Sequence, residues 1–226
     1  MNITYYGHAC FEVALQDIKL LFDPFITPNP LASAIDVSAI RTDYILLSHG
    51  HEDHVADVET IYQNNNCRII SSFEIVSWFQ NKGLENGHPM NHGGKWSFDF
   101  GEVKMVSAIH SSSLPDGSNG GNPAGYVITT GNTRFYYAGD TALTYDMKLI
   151  PVDGKIDFAF LPIGDNFTMG IENAAKAAAF VETNKVVAMH FDTFPYIEID
   201  KNLAREVFER NQIELILPEI GETIEL

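Results

Sequence analysis

Short apolar runs broken by turn residues fill the first part of the chain, and they predict strands before helices. Residues 3–6, 10–15 and 19–22 are brief, rich in β-forming side chains, and separated by turn-prone pairs. Asp23-Pro24 stops the third run, and Pro28 and Pro30 continue a loop. Residues 44–47 form a continuous apolar run, the mark of a buried strand. That run passes straight into Ser48-His49-Gly50-His51-Glu52-Asp53-His54. A helix is expected from about 54 to 64, a strand over 68–70 and a second helix over 73–81.

Farther on, residues 95–100 and 102–109 pattern as a hairpin about Gly101, with His110 at the end of its second arm. Residues 111–125 carry Ser, Gly, Asn or Pro at most positions, which predicts a loop long enough to suggest function. Residues 126–130 and 133–138 predict a hairpin about Gly131-Asn132, closed by Gly139-Asp140-Thr141. Then follow a strand over 157–161, a helix over 171–182 with Thr168 as its N-cap, and a strand over 185–189 ending at His190. A helix over 202–211 and a strand over 214–217 complete the pattern, and His88 and His92 read as surface turn residues. Both halves repeat the order strands, helices, strands. This predicts an α/β protein: two mixed β-sheets packed face to face, helices on the outer faces, and one domain over 1–226 with no dividing linker.

Composition narrows the function. A chain of 226 residues with 45% hydrophobic residues can bury a substantial core. Its formal net charge of -16, without any Lys/Arg cluster, disfavours nucleic-acid partners, whose phosphates an acidic surface repels. Cys10 and Cys67 are too few for a disulfide framework and are expected as buried free thiols. The first thirteen residues lack a basic start and a continuous apolar stretch, and no run approaches the ~20 apolar residues of a membrane helix. The expectation is a cytoplasmic protein acting on a small molecule, with no membrane.

The chemistry concentrates in His49-x-His51-x-Asp53-His54, four ligand-type side chains in six residues between a strand and a helix. Residues two apart in an extended segment point to the same side, so His49 and His51 can reach one ion together. Asp53 and His54 then turn toward a neighbouring ion as the helix starts. Imidazole and carboxylate suit zinc and other first-row metals. His110, Asp140 and His190 each follow a predicted strand, where ligands are held by a rigid scaffold.

This ordered set, His49-x-His51-x-Asp53-His54, His110, Gly139-Asp140 and His190, resembles the motifs of the metallo-β-lactamase superfamily. The segments Tyr6-Gly7-His8-Ala9-Cys10-Phe11, Pro162-Ile163-Gly164, Phe167-Thr168-Met169 and Met189-His190-Phe191-Asp192-Thr193 resemble one branch of it. That branch comprises bacterial and archaeal metal-dependent hydrolases similar to ascorbate-6-phosphate lactonase. The resemblance implies an αββα sandwich with two divalent ions, zinc first, with manganese, nickel or iron as alternatives. It implies His49, His51 and His110 on one ion, Asp53, His54 and His190 on the other, and Asp140 bridging. A metal-bridging hydroxide would then attack a small ester, lactone or phosphodiester. A β-lactam fits less well, because β-lactamases of this fold generally lack the bridging aspartate. A homo-oligomer is expected from the same likeness.

Asp53, His8 and a metal-bound water are the candidates for protonating the leaving atom. His8 can also be a buried structural histidine. Asp165 and Asn166 are candidate substrate contacts, or loop residues capping the next helix. Asp192 and Thr193 could support His190, and Asp23 could hold the His-rich loop. Two other functions share this constellation: a di-iron redox enzyme, and a non-catalytic metal- or ligand-binding protein.

Overall fold

The protein is described by a computed structural model covering residues 1–226. Its contacts divide the chain into two compact units. The first unit comprises residues 1–91, 111–123 and 218–226. Its strands are β1 (Asn2–Gly7), β2 (Cys10–Leu15), β3 (Ile18–Phe22), β4 (Tyr44–Leu46), β5 (Arg68–Ser72), β6 (Gly87–Met90) and the late β14 (Thr223–Glu225), in sheet order β14-β1-β2-β3-β4-β5-β6. The strands from β14 to β3 pair antiparallel, and those from β3 to β6 pair parallel. β4 is buried along its whole length, as expected of a short apolar strand inside a parallel arrangement. Phe22 pairs with Leu46, so β3 and β4 end side by side. That register brings Asp23 beside Ser48 and the start of the His-rich loop.

The single helix expected from residue 54 is instead α1 (Glu52–Val55) and α2 (Val58–Asn65). Asp57 separates them, with φ -100° and ψ 4°. Its buried carboxylate accepts the N–H groups of Ile26 and Thr27 at 2.6 and 2.9 Å, tying the break to the proline-rich loop. The third helix, α3 (Phe73–Asn81), falls where the pattern placed it, with Ser72 as N-cap. Two edge strands escaped the pattern. β6 contains Gly87 and Pro89, both poor strand formers, and is fixed by pairing Ile70 with His88. His88 is therefore a strand residue, not a turn residue. β14 has only three residues, held by β1.

The second unit comprises residues 92–110 and 124–217. It holds β7 (Lys95–Phe98), β8 (Gly101–Ser107), β9 (Ala124–Thr130), β10 (Thr133–Tyr137), β11 (Phe158–Pro162), β12 (Lys185–Met189) and β13 (Glu214–Ile216), ordered β13-β12-β11-β10-β9-β8-β7. The first hairpin turns at Asp99-Phe100 rather than around Gly101, because Phe98 pairs with Gly101. Gly101 has φ +140°, and a Cβ there would collide with the Thr129 carbonyl oxygen. The second hairpin turns at Gly131-Asn132 as expected, with β9 starting earlier, at Ala124. From β10 to β13 the pairing is parallel. In this unit's interior Phe135 stacks on Phe158, and Phe160 meets both rings edge-on. Helix α4 (Ile171–Phe180) buries an alanine face, and α5 (Lys201–Arg210) buries Ala204, Val207 and Phe208. The N-cap of α4 is Gly170, not Thr168, whose hydroxyl turns to the Met169 carbonyl. A 3-10 helix over Tyr145–Asp153 had no counterpart in the apolar pattern.

Candidate metal centre

In the first unit the site grows from the paired ends of β3 and β4. Asp23 is fully buried and takes a left-handed φ of 41°, a conformation that costs a non-glycine residue on the order of 1 kcal/mol. Its Oδ1 accepts the Ser48 N–H at 2.7 Å, and its Oδ2 accepts the Ser48 hydroxyl at 2.6 Å. The same Oδ2 accepts His54 Nδ1–H at 2.9 Å. The Ser48 hydroxyl hydrogen thus points to Asp23, so its oxygen accepts from His49 Nδ1–H at 2.9 Å. Two histidine tautomers follow from one carboxylate: His49 and His54 both carry hydrogen on Nδ1 and a lone pair on Nε2. His49 Nε2 lies 2.9 Å from His51 Nδ1. Asp53 Oδ2 lies 3.9 Å from His54 Nε2 and accepts His8 Nε2–H at 3.1 Å. His8 is buried, has φ 57°, and packs its ring edge-on against Phe25 and His54.

In the second unit, Asp140 follows β10 and is almost wholly buried. Its Oδ2 lies 3.0 Å from His190 Nε2 and 3.5 Å from His110 Nε2. His190 follows β12 with φ 56°, and its carbonyl passes so close to Gly164 that a Cβ there would collide with it. Pro162-Ile163-Gly164 therefore shapes the backbone that presents His190.

The donor set fits a metal. Asp140 is a buried carboxylate whose Oδ2 faces the imidazoles of His110 and His190, a donor set that suits a cation. The tautomers of His49 and His54 leave lone pairs on Nε2, as ligation demands. Thiols do not compete: burial pushes Cys10 well above its ordinary pKa and Cys67 up to about 12. Both are buried and free, as expected.

The other candidates divide. Asp23 does hold the His-rich loop. Asp192 turns away to accept Ile199 N–H at 3.1 Å and Lys201 Nζ at 3.0 Å, and the Thr193 hydroxyl donates to the Phe191 carbonyl. Asp165 and Asn166 are exposed, with φ 60° and 52°, and Asp165 Oδ1 accepts the Asn166 N–H at 2.9 Å. Asp165 borders a cavity of about 330 Å³ with Ile163, Glu172, Asn173, Asp200 and Leu203. Sequence reasoning missed Ser48, Ser111 and Ser112. The only available signal was that each serine lies next to or near a ligand-type histidine.

A family model described as a β-lactamase superfamily domain matches residues 19–191. A UPF0173 metal-dependent hydrolase of Flavobacterium johnsoniae is 55% identical over 226 residues, covering 100% of both chains. One of Christiangramia forsetii is 52% identical over 227 residues, again covering 100% of both. The structure of Igni18, a metallo hydrolase from the archaeon Ignicoccus hospitalis, is 32% identical with a TM-score of 0.89, covering 99% of this chain and 97% of that one. The chain belongs to the metallo-β-lactamase superfamily, and its branch is that of the UPF0173 metal-dependent hydrolases. Its fold is the α/β fold of that superfamily, and it is a hydrolase with a metal cofactor.

Proposed function

We propose that the protein is a dinuclear hydrolase of a small ester, lactone or phosphodiester, its two units acting as one domain over residues 1–226. His49, His51 and His110 hold one ion, Asp53, His54 and His190 the other, and Asp140 is shared. The observation that carries this reading is the placement of Asp140. One buried oxygen faces both His110 and His190, which are assigned to different ions. Neither unit alone supplies two four-ligand shells. Family membership supports joining the two sets.

Bound ions, zinc first and manganese, nickel or iron as alternatives, would supply a water acidified to a pKa of roughly 7 and an electrophilic contact to the scissile carbonyl or phosphoryl oxygen. The protein's own groups do the rest. Asp53, with its side chain 26% exposed, is placed to take a proton and deliver it to the leaving atom. His8 donates to Asp53 and holds it in place. Asp165, at the edge of its cavity, and the neighbouring Asn166 contact the substrate. The acidic surface disfavours nucleic acids and favours a small substrate. The reading includes a cytoplasmic location and a homo-oligomer. No helix is long and apolar enough to cross a membrane.

The test is elemental analysis of protein purified without chelator or nickel resin, followed by an ester, lactone and phosphodiester panel. About two zinc or manganese ions per chain with turnover supports the proposal. One ion with full turnover refutes the dinuclear form. Two irons with electron transfer establish the redox alternative, and metal without any turnover establishes a binding protein.

A further inference from the structure

Residues 111–123 directly follow the candidate ligand His110, yet they pack within the unit that carries the His-rich loop. Three of the first four residues bear on that loop. Ser111 Oγ lies 3.2 Å from His51 Nε2. Ser112 Oγ accepts, at 3.0 Å, the N–H of Gly50, the residue between His49 and His51. Leu114 is buried in the unit's apolar core, and a Cβ on Gly50 would come within 3.1 Å of its Cγ and Cδ2. Gly50 thus passes beneath Leu114 where a larger residue would press on it.

The serines are themselves held. The Ser112 carbonyl accepts Gly120 N–H at 2.8 Å, and a Cβ on Gly120 would collide with Ser112 Oγ. Ser72 donates to the Gly120 carbonyl at 2.9 Å, and Trp78 Nε1–H donates to Asp116 Oδ2 at 2.7 Å. A segment anchored at both ends in this way is a strap, not a lid.

An imidazole ligates through one nitrogen and must carry its hydrogen on the other. His51 Nδ1 lies 2.9 Å from His49 Nε2, and with both nitrogens ligating one ion the His51 hydrogen belongs on Nε2. Ser111 meets that nitrogen. We propose that Ser111 and Ser112 are positioning residues for the metal ligand His51: Ser111 fixes its tautomer, and Ser112 fixes the backbone turn through Gly50 N–H. The inference rests on His51 being a ligand, as proposed above. Ser111 is exposed, so water replaces part of its effect. That sets the loss at the low end of the 10–100-fold range for groups that orient ligands.

The variants are Ser111→Ala, Ser111→Thr, Ser112→Ala and His51→Ala. Zinc affinity is measured by competition with a chromophoric chelator, ring tautomers by ¹⁵N NMR of labelled histidines, and folding by circular dichroism. Ser111→Ala should weaken zinc about tenfold and give His51 a mixed tautomer, while Ser111→Thr, which keeps the hydroxyl, restores both. Ser112→Ala should weaken zinc with the His51 tautomer unchanged. If His51→Ala loses an ion while Ser111→Ala keeps wild-type affinity and tautomer, the positioning role is refuted and the metal reading stands. If His51→Ala keeps every ion, both fall.

Discussion

Replacing Asp23 with asparagine changes two atoms' chemistry and almost nothing of their volume. The carboxylate accepts three hydrogen bonds: from Ser48 N–H, the Ser48 hydroxyl and His54 Nδ1–H. Asparagine can keep its oxygen on Ser48 N–H, but an NH₂ then occupies the Oδ2 position. Ser48 must now accept instead of donate, so its own hydrogen turns to His49 Nδ1 and forces His49 hydrogen onto Nε2. His54 Nδ1 must likewise become an acceptor, with hydrogen on Nε2. Rotating the amide does not help, because its NH₂ then opposes the Ser48 N–H. Both imidazoles lose the lone pair that ligation requires. Each lost orienting partner costs about 10–100-fold in metal affinity. The two together, taken as additive, predict at most about 10²–10⁴-fold, or about 2.7–5.4 kcal/mol at 1.36 kcal/mol per factor of ten. Asp23→Ala adds a stability cost of about 1–3 kcal/mol for each buried donor left unpaired. The assay is zinc competition on Asp23→Asn, with ¹⁵N ring shifts of His49 and His54 in the zinc-free protein. A variant that binds zinc within threefold of wild type, or whose two histidines keep hydrogen on Nδ1, refutes the reasoning.

Other outcomes follow from the same geometry. His51→Ala and Asp140→Ala should each lose activity and at least one metal while keeping a native circular dichroism spectrum; full metal and activity in either variant defeats the ligand assignment. Stripping the metal with a chelator should lower thermal stability, since an ion present at 100 times its Kd contributes about 2.7 kcal/mol to the folded state; calorimetry with and without added zinc measures it. Cys10 and Cys67 should resist a thiol reagent at pH 8 in the native protein and react on unfolding, because burial keeps both protonated. The stability that Cys67 contributes is intact below the ordinary thiol pKa and is lost as pH rises toward about 12, so alkaline titration should unmask the thiol.

The local code carried much of this protein. His49-x-His51-x-Asp53-His54 announced itself because four donors fall within six residues, and apolar runs located the strands that lead to Asp140 and His190. The pattern failed where neighbours override propensity. β6 forms despite Gly87 and Pro89 because β5 pairs with it, and one expected helix breaks at Asp57 because that carboxylate serves the loop of Ile26 and Thr27. Residue types along the chain thus determined which side chains can bind a metal. Their protonation state and aim were decided only in three dimensions. The β3–β4 register sets Asp23 against Ser48 and His54, and the strap sets Ser111 against His51. A hydrogen bond depends on tenths of an ångström between residues 25 to 60 positions apart in the chain, and no pattern of residue types encodes that distance.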